Sequence, residues 1–479
     1  MIKRGNMMKK RKWILMAAGI LMSGGAAFAG SALSEGTGTL TAYAQAIAAF
    51  DAKAYVEALC TKDAAELESS YTYTDEMSAA LAQGGGLGAL QSSIASLGGL
   101  KEAEEAVSEE ASGYTSYRVP CRFEVQNVDI VINTDAQGRI AGIVTMPYTG
   151  SQSADGAGGS EEAALPEGIE EISLSVPVKG TEGWELSGTL TLPEGDGPFP
   201  AVVLVHGSGP NDRDETIGPN KPFRDIAWAL AQQGIAVYRY DKRTYVYGAE
   251  LALDTELTLN EETVEDAVQA AVTVKAQEKI DPSRVYVLGH SLGGEALPRI
   301  SAALASDGEE AAGYIFLAAP ARSLTALMRE QYDFLYSLMP ELDEAQEKEK
   351  EQVYQELDKL SDPDALAEDE IVMGAYKKYW QDLESYDPVA AAADMNGKCL
   401  VLQGEEDYQV TMEDFALWED AYFGNENWEF ITYPGLTHLF MAGEKANGSA
   451  DYMTAQNVDP QVTWDIAAFI NGKNPLLRE

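Results

Sequence analysis

Histidine is almost missing from this chain: 479 residues contain three, His206, His290 and His438. Cysteine is equally scarce, at Cys60, Cys121 and Cys399. No cysteine–histidine spacing reads as a metal site, and nothing in the pattern calls for a cofactor. Positive charge is thin as well: 34 lysines and arginines face 77 aspartates and glutamates, a formal net charge of −43. That balance excludes nucleic acid as a partner, because phosphate binding needs a Lys/Arg surface, and it argues against docking on anionic lipid. Its plain consequence is solubility; a preference for cationic substrates is the lesser reading. The apolar run Trp13–Met22 falls short of the ~20 residues that cross a bilayer. Internal repeats and heptad runs are also missing.

What is present begins with an export pattern. Lys3, Arg4, Lys9, Lys10, Arg11 and Lys12 precede the apolar run, and Ala27-Phe28-Ala29 offers a small-x-small cleavage site. Residues 1–30 are therefore expected to be a signal peptide and the protein to be secreted or extracytoplasmic, with an uncleaved N-terminal anchor as the alternative. Exported proteins can hold disulfides, and an odd cysteine count leaves at least one thiol free. Cys399 sits in the apolar run Cys399–Leu402 and is expected to be free and inert. Cys60 and Cys121 fall in one predicted unit, which leaves open either a bridge or two small buried hydrophobes.

Length predicts two or three domains. Residues 31–147 show helical spacing over Ala44–Leu59 and Met77–Leu97, the second interrupted by Gly84–Gly86. Alternating strands follow over Tyr117–Gln126, Val128–Asn133 and Ile140–Thr145, which predicts a small α+β domain. Residues 148–168 are rich in Gly, Ser, Ala and acid, without periodicity, and are expected to be a flexible linker. From residue 169 to 479 strands and helices alternate. A hairpin pair (Ile172–Val178, Trp184–Leu192) leads into the buried run Ala201–Val205, and strands recur at Ile235–Tyr240, Arg284–Leu288, Tyr314–Ala319, Lys398–Gln403 and Trp428–Tyr433. Helices fall between them, so the pattern predicts an α/β architecture with a doubly wound, mostly parallel sheet. Residues 322–395 break the rhythm. They are charged, helical and aromatic without a strand signal, and are expected to form a helical cap.

One motif carries chemistry. Gly289-His290-Ser291-Leu292-Gly293 follows an apolar strand and opens a helix, so Ser291 is expected on a sharp turn where glycines relieve crowding. A serine hydroxyl is a weak nucleophile and needs a base. His206 and His290 belong to other motifs, which leaves His438, placed just after the last predicted strand. The third member should be a carboxylate on the preceding strand's exit loop. There Glu405, Glu406 and Asp407 compete with a merely solvated turn; Asp407, furthest out, is the choice. The backbone N–H groups of Leu292 and Ser208 are the expected oxyanion donors, and His206 is expected to shape the loop that carries Ser208. Arg213 and Arg243 are candidate substrate contacts against an ion-pair network with Asp214 and Asp241. Tyr332, Phe334, Tyr336, Tyr376, Tyr379 and Trp380 are either cap core or pocket wall.

The segments His206–Pro210, Gly289–Gly294, Gly404–Val410 and His438 resemble the α/β-hydrolase superfamily. They are most similar to its bacterial esterase and serine-aminopeptidase-like branch, near dienelactone hydrolase and prolyl oligopeptidase relatives. Tyr240-Asp241-Lys242-Arg243 and Asn211–Glu215 are similar to loops of that branch, with Thr244 standing where glycine is usual. The resemblance covers about residues 170–479 and is specific for fold and chemistry, not for substrate. Residues 35–147 look like a small cystatin-like or nuclear-transport-factor-like domain. The resemblance implies a serine hydrolase acting on small-molecule carboxylic esters through an acyl-serine intermediate, without metal or cofactor. Two alternatives use the same chain differently. A serine aminopeptidase-like enzyme on short peptides would need a carboxylate such as Glu370 or Glu384 for the α-amino group. A non-catalytic binding protein would keep the scaffold alone. The oligomeric state is not legible.

Overall fold

The computed structural model describes residues 50–473 apart from 75–76, 79–80, 82–86, 96, 112–113, 124–126, 148–163, 253, 340 and 343. The expected signal peptide and most of the expected linker lie outside the described residues. Those described form two compact units that divide near residue 159.

In the first unit, helices α1 (Ala52–Thr61), α2 (Ala64–Ser70) and α3 (Leu87–Ala95) come before the sheet. Asp51 and Asp63 start α1 and α2 by accepting from backbone N–H groups three residues on, satisfying donors that the first turn leaves bare. The antiparallel sheet holds β1 (Leu100–Ala103), β2 (Val107–Ala111), β3 (Tyr114–Phe123), β4 (Val128–Asp135) and β5 (Ile140–Pro147), in the order β1-β3-β4-β5 with β2 also on β3. Strands β1 and β2 were not expected from sequence. Both pair only with β3, and their Lys-Glu and Glu-Glu content hides the alternation on which a sequence reading depends. The cysteines are free. The Cys121 thiol donates to the Val119 carbonyl at 3.1 Å, and burial pushes Cys60 up to about 11 and both Cys121 and Cys399 up to about 12.

The second unit is built on an eight-stranded sheet. Its strands are β6 (Ile169–Ser173), β9 (Gly188–Pro193), β10 (Phe199–Val205), β11 (Ala236–Tyr240), β12 (Ile280–His290), β13 (Gly313–Leu317), β16 (Lys398–Gly404) and β17 (Trp428–Tyr433). The order is β17-β16-β13-β12-β10-β11-β9-β6; β9 runs antiparallel to both its neighbours, β11 and β6, and every other pair is parallel. The expected hairpin resolves into two ladders, β6 on β9 and the short β7 (Val176–Pro177) on β8 (Glu185–Leu186). Ala201–Val205 is wholly buried, as a strand covered on both faces requires.

Helices cover both faces. Helix α4 (Pro222–Ala231) has proline in its first turn and buries Phe223, Ile226, Ala227, Leu230 and Ala231, an apolar stripe of helical period. A π-helical turn, Asn260–Val264, leads into α5 (Glu265–Lys275). The helix expected at Leu292–Leu304 splits into α6 (Leu292–Glu295) and α7 (Leu297–Ser306), because Pro298 has no N–H to continue the ladder. The insertion holds α8 (Leu324–Ser337), α9 (Glu344–Lys359) and α10 (Lys377–Glu384). It also carries a two-residue ribbon, β14 (Ile371–Val372) on β15 (Ala375–Tyr376), turned by Met373-Gly374; pairs this short leave no sequence signal. Helices α11 (Met412–Tyr422) and α12 (Pro460–Ile470) complete the layer.

Candidate active site

Ser291 occupies the turn between β12 and α6 with φ 53° and ψ −123°, a conformation costly for a residue with a side chain. The surroundings hold it there. Its N–H donates to Leu317 O at 2.9 Å, and its carbonyl accepts from Gly294 at 2.7 Å and Glu295 at 3.1 Å. The motif's glycines are steric requirements. A Cβ on Gly289 would lie 2.1 Å from Gly293 O, and one on Gly293 would lie 2.4 Å from Val205 O.

His438, in the loop after β17, and Asp407, in the loop after β16, are both buried and lie 2.7 Å apart, Nδ1 to Oδ2. A carboxylate accepts, so Nδ1 donates to it, which leaves Nε2 as the ring nitrogen that can serve as the base. Asp407 is itself fixed by the N–H groups of Gln409 (2.7 Å) and Val410 (3.1 Å) and by Gln403 Nε2 (3.1 Å). The competing acids point elsewhere: Glu405 accepts from Thr432 Oγ1 and Glu406 from the Lys445 N–H.

Two buried residues that sequence reasoning did not single out brace this centre. Glu215, itself at positive φ, accepts from the Gly207 N–H at 2.7 Å and from His290 Nδ1 at 2.8 Å. His290 Nε2 donates to the His438 carbonyl at 3.0 Å, and the two imidazole rings lie 4.6 Å apart. The carbonyl only accepts, so Nε2 carries a hydrogen, and the Glu215 carboxylate at Nδ1 favours the doubly protonated ring. Burial opposes that charge, but the Glu215 carboxylate outweighs it and raises the His290 pKa; Glu215 is lowered, the neighbouring imidazole outweighing its own burial. The signal in sequence was only that Glu215 closes the acidic run after His206. His206 is held by Asp212 O at 3.0 Å, and burial depresses it to about 4, so it shapes the loop as a neutral ring.

Ser208, Ser291 and Leu292 line a cavity of about 20 Å³ together with Leu324, Leu327 and Gln331 of α8. The insertion thus reaches the nucleophile through α8. The cap aromatics do not line this cavity: Tyr332, Tyr336 and Trp380 are buried in the core. Nor do the two candidate arginines. Arg213 is bound to Asp241 and Thr189, and Arg243 is buried against Asp266 at 2.6 Å. Both are held in ion pairs: Arg213 pairs with Asp241 as the alternative to substrate contact had it, whereas Arg243 pairs with Asp266 and Glu265, outside the expected set. Among the described residues no cluster of three or more His, Cys, Asp or Glu could hold a metal ion.

A parallel sheet of this order, with a serine on a strained strand-to-helix turn and a buried His–carboxylate pair at the strand ends, is an α/β-hydrolase arrangement. The chain belongs to the alpha/beta hydrolase family, whose model matches residues 202–446. It is 37% identical over 357 residues to Esterase EstD of Thermotoga maritima, covering 74% of this chain and 80% of that protein. The match is longer than the second unit by itself. Among solved structures, a puromycin hydrolase aligns with TM-score 0.42 and 15% identity over 78% of this chain, which spans about half (48%) of that one. An esterase of Pyrococcus furiosus aligns with TM-score 0.40 and 15% identity, covering 64% of this chain and 91% of the other.

Proposed function

We propose that this chain hydrolyses carboxylic esters of short acyl groups through an acyl-serine intermediate. Ser291 attacks the ester carbonyl. His438 Nε2 takes the serine proton and returns it to the leaving alcohol, while Asp407 holds the imidazole in the required tautomer. The N–H groups of Ser208 and Leu292 stabilise the oxyanion, and water then releases the acid. The observation that carries the reading is the buried 2.7 Å contact between His438 Nδ1 and Asp407, with Ser291 on its strained turn lining the same cavity as Gln409 and Val410 of the Asp407 loop. The similarity to Esterase EstD supports an ester as the substrate. The cavity holds little more than one water, and its lining residues carry no charge, which supports a small neutral acyl group. The aminopeptidase alternative would need a carboxylate facing that cavity. Glu370 is bound to Lys359 at 2.7 Å and Glu384 is exposed, and neither lines the cavity, so no observation favours that reading. We propose further that residues 1–30 direct export.

The test is Ser291→Ala. Hydrolysis of p-nitrophenyl acetate should fall by about 10⁴-fold or more, and labelling by a fluorophosphonate should vanish, while thermal unfolding stays cooperative. Turnover undiminished in the folded variant would remove Ser291 from the mechanism.

A further inference from the structure

The loop that carries Ser208 is bordered by glycines at 207 and 209, the latter at φ +89°, so little in its own sequence fixes the plane of the Gly207–Ser208 peptide. In a trans peptide the C=O of one residue and the N–H of the next point in opposite directions. A group that holds the Gly207 carbonyl on one side therefore aims the Ser208 N–H to the other. Rotating that plane would put a carbonyl where the donor belongs.

Two side chains hold this carbonyl. Lys242, at 2% exposure, donates to it from Nζ at 2.8 Å, and Asn211 Nδ2 donates at 3.2 Å. The Lys242 ammonium is buried and needs a counter-charge; Glu262 Oε1 supplies one at 2.5 Å. Glu262 stands on the π-helical turn before α5, and its other oxygen accepts from the Tyr379 hydroxyl at 2.6 Å. Tyr379 lies on α10 of the insertion. A continuous path of two hydrogen bonds and an ion pair therefore runs from the insertion to the Gly207–Ser208 peptide, whose Ser208 lines the same cavity as Ser291: Tyr379, Glu262, Lys242, Gly207.

We infer that Lys242 is a positioning residue for the oxyanion donor at Ser208, and that Glu262 and Tyr379 make the donor's orientation depend on how the helical insertion is seated. The inference rests on the acyl-serine reading above. It assigns the buried lysine of Tyr240-Asp241-Lys242-Arg243 a role in transition-state geometry and makes the insertion a part of the oxyanion site.

The experiment compares Lys242→Met, the charge-balanced Lys242→Met/Glu262→Gln, Asn211→Ala and Tyr379→Phe in the full chain. The double variant serves if the single one leaves Glu262 uncompensated and does not fold. Losing a whole oxyanion donor costs about 10²–10³ in kcat, so a misaimed one should lower kcat by about 10–100-fold in the lysine variants, less in Asn211→Ala, and about 2–5-fold in Tyr379→Phe. KM should stay within about twofold, because ground-state binding does not use the oxyanion. An aryl trifluoromethyl ketone, which forms a tetrahedral oxyanion on serine, should lose affinity in step with kcat. A folded lysine variant with unchanged kcat, or one in which KM rises while ketone affinity holds, overturns the role of Lys242. An unchanged kcat in Tyr379→Phe removes the insertion from the path. Ser291→Ala, run beside them, separates the failures: if it stays active, the acyl-serine reading falls and this inference with it; if it is inactive while the others are normal, only this inference falls.

Discussion

Each catalytic candidate is held by a neighbour that limits its freedom. Asp407 takes three donors besides His438, and His438 is braced through its own carbonyl by His290. The Glu215–His290 pair makes this bracing dependent on pH. Glu215 is held below its ordinary 4.5, so its contribution is present above that value and is lost as pH falls through the lowered one. His290 is raised above its ordinary 6.5, so its contribution is full below 6.5 and is lost as pH climbs through the raised value. The pair is therefore strongest between those two values and weakens in alkali. Removing one partner of a buried pair costs about 3–5 kcal/mol, so Glu215→Gln should unfold at lower temperature than the wild type. The gap should be widest near pH 5–6 and narrow towards pH 9. Thermal unfolding at several pH values checks this; a gap that does not change with pH would mean the pair is not ionic.

At the scale of elements, two contacts decide the pocket. The turn from β12 into α6 places Ser291, and α8 lines the same cavity with Leu324 and Leu327. Those leucines, not the turn that carries Ser291, should set acyl length. Leu327→Ala should open the cavity and raise the ratio of kcat/KM for p-nitrophenyl hexanoate over acetate by about tenfold, since each methylene accommodated is worth about 1–3 kcal/mol. A stability loss of about 2–5 kcal/mol should accompany it. A ratio that does not move would show that the leucine wall does not limit the acyl group. The elements themselves were largely legible. Apolar runs such as Ala201–Val205 and Lys398–Gln403 read directly as strands because a parallel strand covered on both faces has no polar side to interrupt it. The charged strands Leu100–Ala103 and Val107–Ala111 did not, because their pairing with β3 rests on backbone hydrogen bonds that carry no side-chain pattern.

For the whole molecule, the apolar core of the second unit runs from Val176 to Ile470, and every candidate site residue lies inside that range. The unit should therefore hold its chemistry alone. A chain of residues 160–479 should unfold cooperatively and hydrolyse p-nitrophenyl acetate within about threefold of the full chain, because transition-state stabilisation depends on groups this unit contains. Loss of activity in a folded fragment would assign the first unit a part in the site.

By itself the sequence determined the fold class, the order of strands and helices, and the candidates Ser291, Asp407 and His438, because strand periodicity, turn glycines and a shortage of histidine are written in local composition. The tertiary structure decided what surrounds those residues: Glu215 against His290, Lys242 against Gly207, and Leu327 in the cavity that Ser291 lines. It also decided that Arg213 and Arg243 serve ion pairs. These contacts join residues far apart along the chain. A buried lysine and an exposed one look the same in sequence, and only packing settles which carbonyl or carboxylate each charge must meet.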